Sequence, residues 1–420
     1  MSVLVGPVGA ISASGATLHA FMNIKKTIGI SNDFWNVTAA SGMAGIVAGN
    51  LGAGRYATRA DGHEFLNMSS YSYLGLDSHP ALIRAAADAV TENASLNTSV
   101  SRMRVHFGIL RDAEDALSDL FRVEAVTLAS CAAAAWSALP LLASGAFTGD
   151  VPPLMVFDKH AHFCLNAMKP SVADEAEVRT IPHNDIDALE ELCRTHPNVA
   201  YVADGVYSTG GQAPVRELLR LQEKYGLFLF FDEAHGVSTR GDQGRGVVLD
   251  AMGEINDRTL IITSLNKGFG ASGGAIFLGP QGSRHRRDLA LRYGGPLTWS
   301  QRINTAGLGA ITASAELHRS PELKELQRRL QENIDWFDAL VPTAQSGDGL
   351  PIRFIDIGSE EKTVRIGRTL LSEGYYTSAL FFPVIARGKA GLRIMLRADM
   401  TKTDIEHFGR LVNDLRSQND

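Results

Sequence analysis

Cysteine is scarce in this 420-residue sequence, present only at Cys131, Cys164 and Cys193. A sparse, odd set builds no disulfide framework and points to a reducing, cytoplasmic compartment. Long apolar runs are also scarce. The most apolar stretch, Ala132 to Phe147, is too short to span a bilayer and contains Pro140, so it reads as a buried helix. Met1 to Ala16 is apolar and Gly-rich, but no Lys or Arg precedes Lys25 and Lys26. The positive segment of a signal peptide is therefore missing, and these residues read as a flexible arm. Positive charge is not in excess: 40 Lys and Arg against 46 Asp and Glu leave a formal net charge of -6. That balance excludes a global attraction to nucleic acid or anionic membrane. No internal repeat or low-complexity block is visible.

What is present is an ordinary globular composition, 45% hydrophobic and 20% charged. The chain is too long for one ordinary core. The expected division is an N-terminal arm and hairpin over 1–65, a large domain over 66–303 and a small α/β domain over 304–420. Arg55–Ala60 and Glu64–Ser69 flank Asp61-Gly62, a hairpin turn. From about Ser78, helices alternate with short apolar runs at Leu154–Phe157, Ala200–Ala203, Phe228–Phe231, Leu260–Thr263 and Gly274–Leu278. Such runs suit strands buried on both faces, and amphipathic stretches at Ile186–Arg194 and Val215–Tyr225 separate them, so the reading is α/β with a largely parallel sheet. A long helical stretch is expected from Asn304 to Ala339. After it come a strand at Pro351–Ile357, a helix at Lys362–Glu373 and a strand at Leu392–Leu396. A last helix opens on a capping box from Thr403 to Glu406.

In open α/β sheets, ligands sit beyond the carboxyl ends of the strands. The groups placed there are Asp158 and His162, Asp204 to Ser208, Asp232 and His235, and Ser264 and Lys267. Asp232 follows four large apolar residues, where a carboxylate is costly without a cation or several donors. The protonated pyridine nitrogen of pyridoxal-5′-phosphate (PLP) is such a partner, and the pyridinium makes the ring an electron sink. His235, three residues on, would reach the ring's phenolic oxygen. Taken alone, the pair reads equally as an Asp capping a helix and a His facing solvent. A lysine among small neighbours at a strand end, like Lys267, is partly desolvated and suited to imine formation. Ser264 is placed to bind phosphate, and Gly268, Gly270, Gly273 and Gly274 allow close backbone approach. Lys267 alone would read as a surface side chain; Asp232, a strand–helix unit earlier, changes that.

Ordered motifs span Phe65 to Thr401. They are Tyr73-Leu74-Gly75-Leu76 with His79-Pro80, Asp158 to His162, Asp204-Gly205-Val206-Tyr207-Ser208 with Pro214, Asp232-Glu233-Ala234-His235 with Gly241 and Gly244-Arg245-Gly246, Ser264 to Gly270, and Gly391-Leu392-Arg393-Ile394. Their order and separations resemble the α-oxoamine synthases, PLP-dependent transferases of fold type I. The resemblance implies a large, mostly parallel seven-stranded sheet flanked by helices, plus a small C-terminal α/β domain. It makes Lys267 the Schiff-base lysine, Asp232 the pyridine partner and His162 the residue that stacks on the ring and polarises the acyl donor. It places His235 and Ser208 near the phenolic oxygen, and Arg393 on the carboxylate of an amino acid, which suits its fork of donors. The implied reaction joins an α-amino acid to an acyl thioester, on CoA or a carrier protein, with loss of CO2, in a homodimer with active sites at the subunit interface. Other PLP reactions on the same fold, such as transamination or aldol cleavage, and a non-catalytic partner subunit are the alternatives.

The departures from the family pattern cluster around phosphate and substrate. The phosphate turn is Ser130-Cys131-Ala132, with Cys131 for a glycine and Ala132 for an aromatic residue, and Ala135 replaces an asparagine. Tyr71 stands where the family has a carboxylate-contacting asparagine, and Tyr293 to Thr298 replaces a segment that reaches the partner's phosphate. Asp204 to Thr209 and the Asp399 region lean towards the branch that makes quorum-sensing signal ketones. Arg284-His285-Arg286-Arg287 reads as a solvated helix face in preference to an anion-binding patch.

Overall fold

The structure is a computed structural model and describes residue 21, residues 24–382 and residues 384–417. The arm expected over Met1 to Ala16 lies outside the described residues. The first element among the described residues is a helix, Ile24–Ala40, followed by strands β1 (Ala48–Gly52), β2 (Arg55–Thr58) and β3 (Glu64–Asn67). β2 and β3 form the antiparallel hairpin expected around Asp61-Gly62, with Gly62 at φ 74° in the turn.

Seven strands build the central sheet: β4 (Val123–Leu128), β5 (Leu154–Asp158), β6 (Val178–Ile181), β7 (Val199–Asp204), β8 (Phe228–Asp232), β9 (Thr259–Ser264) and β10 (Gly274–Pro280). Their order is β4-β10-β9-β8-β7-β5-β6. Only β10 runs antiparallel to its neighbours. Side chains alternate across the sheet, so Phe228 and Phe230 enter the core on one face while Leu229 and Phe231 enter the core on the other. The five apolar runs read from the sequence are β5, β7, β8, β9 and β10. β4 and β6 went unread because they are the two edges: Glu124, Arg179 and Thr180 break their apolar pattern and are not fully buried.

The C-terminal part adds β11 (Ile352–Gly358), β12 (Tyr375–Tyr376), β13 (Ser378–Leu380) and β14 (Ala390–Met395). β11, β14 and β13 form a separate antiparallel sheet. β12 pairs in parallel with β3, so the N-terminal hairpin shares a sheet with residues far along the chain. The long helical stretch is two helices, Thr305–Arg319 and Pro321–Leu340, divided where Ser320 caps the second and Pro321 occupies its first position. The capping box of the last helix, Lys402–Ser417, sits two residues earlier than expected. Thr401 Oγ1 accepts from the Asp404 N–H at 3.1 Å, and Asp404 Oδ2 accepts from the Thr401 N–H at 3.3 Å. Among the described residues, no helix is long and apolar enough to cross a membrane.

This topology gathers the carboxyl ends of β7, β8 and β9 side by side, with Asp204 in register with Asp232. Antiparallel β10 brings its first residue, Gly274, opposite Ser264 and Leu128. A Cβ on Gly274 would lie 2.5 Å from the Cys131 nitrogen, so only glycine lets the helix Cys131–Ala143 start this close to the sheet.

Candidate active site

Asp232 ends β8 and is 4% exposed. Its Oδ1 accepts from the Ala234 N–H at 2.9 Å. Its other neighbours are thiols: Cys131 Sγ at 3.6 Å from Oδ1 and Cys164 Sγ at 3.5 Å from Oδ2. This buried carboxylate thus has only neutral hydrogen-bond donors, which leaves it suited to a cation. Asp204, beside it, is also buried; its Oδ1 accepts from the His162 N–H at 2.9 Å. Burial and then the Asp232 charge raise the Asp204 pKa well above the ordinary carboxylate range. Two adjacent buried carboxylates oppose each other's ionisation, so the pair favours a single negative charge.

Lys267 follows β9. Its Nζ lies 2.9 Å from His235 Nε2 and 5.3 Å from the centre of the Tyr71 ring. Burial, then the Lys267 and Arg393 charges, depress the His235 pKa well below its ordinary value, so the imidazole is neutral. With the Lys267 amine as donor, Nε2 accepts and Nδ1 carries the proton. Nδ1 then donates to Tyr73 Oη at 2.5 Å, and the Tyr73 hydroxyl donates to Met395 Sδ at 3.5 Å. Tyr73 is fully buried, which pushes its phenol pKa up and keeps it protonated.

Arg393 lies on β14. Its Nη2 donates to Tyr71 Oη at 2.9 Å, its Nη1 to the Ser208 carbonyl at 3.3 Å, and its guanidinium carbon is 5.4 Å from the Tyr71 ring centre. Arg393 Nε is buried and has no hydrogen-bond partner among the described residues. An orphaned charged donor in a protein interior is the mark of a missing acceptor. Tyr71 thus stands between the lysine and the arginine and touches both.

His162 caps the short helix Phe163–Asn166. Its Nδ1 lies 3.1 Å from Cys164 Sγ, a contact that raises the His162 pKa. The Cys131 contact, then His162, lowers the Cys164 pKa, and the same thiol contact and burial raise that of Cys131. Ser130 caps the helix Cys131–Ala143 by accepting from the Ala133 N–H, which leaves the Cys131 and Ala132 N–H groups at an open helix end. The Ser264 hydroxyl donates to Asn266 Oδ1, and its side chain is buried.

Direct contacts join Lys267, His235, Tyr71 and Arg393, with the Ser208 backbone at their edge, and separately join Asp232, Cys131, Cys164 and His162; the paired strands β8 and β9 bring the two groups to the same end of the sheet. Asp158 is not among them. It receives His183, the Asn184 N–H and the Tyr201 hydroxyl, and His160 stacks on His183 at 4.3 Å. Asp399 belongs to a separate network, where it and Asp77 neutralise the fully buried Arg397. Arg287 is bound to Glu114 at 2.6 Å and Glu124 at 2.8 Å, so it is not free for an anion. Sequence reasoning missed Tyr73 and Cys164 as site residues. Tyr73 lies in the quoted early motif, whereas the approach of Cys164 to Asp232 joins separate elements and leaves no local signal.

A lysine amine, a buried carboxylate without a cation, open helix-end N–H groups and an orphaned guanidinium donor form a donor set that fits PLP with an amino acid. The aminotransferase class I and II family model matches residues 63–410. The chain is 30% identical over 365 residues to the 8-amino-7-oxononanoate synthase of Alkaliphilus metalliredigens, with 82% of this chain and 86% of that one covered. It is 31% identical over 363 residues to the enzyme of that name from Alkaliphilus oremlandii, at the same coverage. A serine palmitoyltransferase variant from S. paucimobilis, solved with a bound PLP–myriocin aldimine, superposes with a TM-score of 0.80 at 20% identity, with 93% of this chain and 98% of that chain covered. The chain belongs to the aminotransferase class I and II family and has its fold type I architecture. Within that family it is a PLP-dependent α-oxoamine synthase, an acyltransferase that condenses an amino acid with an acyl thioester and releases the carboxylate as CO2.

Proposed function

We propose that Lys267 anchors PLP and moves the substrate proton, that Asp232 faces the pyridine nitrogen and that Arg393 binds the amino-acid carboxylate. Bound PLP supplies the electron sink for the carbanion. Asp232 supplies the carboxylate that faces the pyridinium, and burial beside it favours the neutral form of Asp204. Neutral His235 holds the lysine amine and, with Tyr73, fixes its direction. His162 stacks on the ring and donates to the thioester carbonyl as charge develops there. The open N–H groups of Cys131 and Ala132, with Ser264, receive the phosphate, and Ser208 lies by the phenolic oxygen.

The observation that carries this reading is the position of Tyr71. Its ring is 5.3 Å from the Lys267 amine and 5.4 Å from the Arg393 guanidinium carbon. The group that would react with the amino nitrogen and the group that would hold the carboxylate are thus one aromatic ring apart. The acyl donor is CoA- or carrier-bound, and the compartment is the reducing cytoplasm, in keeping with three free thiols. A homodimer is part of the reading. Trp136, Tyr293 and Trp299 are all exposed, and the Trp136 indole nitrogen is 3.9 Å from where a Gly295 Cβ would lie. This apolar patch beside the phosphate helix suits a second copy of the chain. The test is incubation with single amino acids and acyl-CoA or acyl-carrier donors while free thiol and CO2 are measured. Release of both, dependent on the amino acid, supports the reading; a keto acid formed without thiol release overturns it.

A further inference from the structure

We propose that the cofactor pocket of the PLP-free enzyme is a Zn2+ site, liganded by His162, Cys164 and Asp232 with Cys131 as the fourth donor, and that zinc and PLP exclude each other. The inference rests on the reading that Asp232 faces the pyridine of PLP.

The two thiols have no part in the condensation, yet they stand against its buried carboxylate. One ligand atom each from His162, Cys164 and Asp232 falls within 4.8 Å of the other two. His162 Nδ1 to Cys164 Sγ is 3.1 Å, and Cys164 Sγ to Asp232 Oδ2 is 3.5 Å. A tetrahedral zinc with bonds of about 2.0–2.3 Å sets its ligand atoms roughly 3.3–3.8 Å apart. The three donors therefore need only small rotations to close on an ion. Cys131 Sγ, 3.6 Å from Asp232 Oδ1 and in contact with Cys164, supplies a second sulfur on the same side.

The donor types point the same way. Two sulfurs, an imidazole and a carboxylate suit Zn2+ or Co2+ and not Mg2+ or Ca2+, which want oxygen ligands. The ligands are fixed by secondary structure: Asp232 ends β8, Cys131 opens the helix Cys131–Ala143, and His162 and Cys164 bracket the first turn of the helix Phe163–Asn166. Ala234 N–H on Asp232 and Asp204 on the His162 backbone hold the ligands in place. Each coordinated thiol gives up its proton to solvent, so zinc uptake releases protons. Exclusion follows from a shared group. The carboxylate that would pair with the pyridinium is the one that would bind the metal.

The test uses the full-length chain as holoenzyme and after removal of PLP with hydroxylamine and of metals with a chelator. Co2+ is the spectroscopic probe and Zn2+ the competitor. The PLP-free chain is expected to bind a single equivalent of Co2+ with a thiolate-to-cobalt charge-transfer band. Zn2+ and PLP should each bleach that band, and the holoenzyme should not develop it. Cys164→Ser should lose the band, Cys131→Ser should weaken binding, and Cys193→Ser, in the distant helix Ile186–Thr195, should match the parent chain. A thiolate band that persists alongside the visible absorbance of bound PLP overturns the proposal, as does cobalt bound without a thiolate band or a band retained in Cys164→Ser. Where a variant does not fold, the PLP competition on the parent chain decides. A chain that takes up cobalt in this way but no PLP refutes the cofactor roles given to Asp232 and Lys267, a result distinct from failure of the metal site.

Discussion

The Lys267 amine lies 2.9 Å from His235 Nε2, and the far nitrogen of that imidazole lies 2.5 Å from the buried Tyr73 hydroxyl. With the lysine as donor, direction runs one way along this chain, from amine to imidazole to phenol to the Met395 sulfur. The lysine is thereby aimed by a neutral group that takes none of its charge. His235→Ala should keep PLP binding, because Lys267 and Asp232 remain. Turnover should fall roughly 100- to 10,000-fold, the range of a lost positioned proton-transfer partner. Cofactor absorbance and thiol release measured together check this. Lys267→Ala should lose both, and retained turnover in that variant would overturn the assignment of the lysine.

Tyr73→Phe probes the same chain from its other end. It strands the His235 Nδ1–H in a fully buried site, a loss of about 1–3 kcal/mol for a missing acceptor. A lower unfolding midpoint in urea, with the slope unchanged, is the expected result. Equal stability would mean that His235 carries its proton on Nε2.

Asp204 and Asp232 are alike in type, burial and register, and they should respond in opposite ways to removal of charge. Burial and the neighbouring carboxylate favour the protonated form of Asp204, and an amide oxygen can still accept from the His162 N–H. Asp204→Asn should therefore be nearly silent in PLP affinity and turnover. Asp232→Asn removes the only charge facing the pyridine and should weaken PLP binding and abolish turnover. Equal damage from the two substitutions, read by cofactor titration, would refute the division of charge.

Tyr71 and Arg393 predict a split between kinetic constants. Tyr71→Phe removes the hydroxyl that fixes one guanidinium nitrogen, and about 0.5–1.5 kcal/mol of positioning should appear as a higher KM for the amino acid. Arg393→Lys replaces a fork by a point charge and should raise that KM further. In both variants the KM for the acyl donor should stay near the parent value. A rise in the acyl-donor KM alone would move these residues to the acyl site.

Trp136→Glu should shift the chain towards monomer in sedimentation. A charge there cannot be buried against a second copy without a partner. Unchanged sedimentation would remove the Trp136 patch from the interface.

Much of this site was legible because it is built from strand ends. Asp232 after Phe228–Phe231 and Lys267 after β9 are polar groups at the close of continuous apolar runs, and that pattern survives in one dimension. The edge strands β4 and β6 did not survive, since a strand with one exposed flank carries Glu124 or Arg179 and loses the run. Contacts between distant segments were also invisible. Nothing near Cys164 in sequence tells of Asp232, and nothing near Asp399 tells that Arg397, two residues before it, is buried against Asp77 from the other end of the chain. The capping box slipped by two residues because Thr401 and Thr403 both stand three residues before an acid, and only the backbone turn chooses between them.

Glu233 offers a test of stability that is separate from catalysis. It is fully buried next to Asp232; its Oε2 accepts from the Val248 N–H at 3.0 Å, while its Oε1 has no partner among the described residues. Burial pushes its pKa up to about 8, so the folded chain binds a proton that the unfolded chain releases above its ordinary value of 4.5. Between those values the folded state holds more protons, and stability falls as pH rises, by at most about 1.4 kcal/mol per unit. Glu233→Gln keeps the shape and cannot ionise, so it should flatten this slope and raise the unfolding temperature at pH 8 relative to the parent, with little difference at pH 5. Gly205 is part of the same fit, because a Cβ there would lie 2.0 Å from Glu233 Oε1. Gly205→Ala should destabilise the chain at both pH values, through overlap and not through charge. A parent chain whose unfolding temperature is level from pH 5 to pH 8, in a scan corrected for the other titrating groups by the Glu233→Gln control, would show that Glu233 is ionised in the fold.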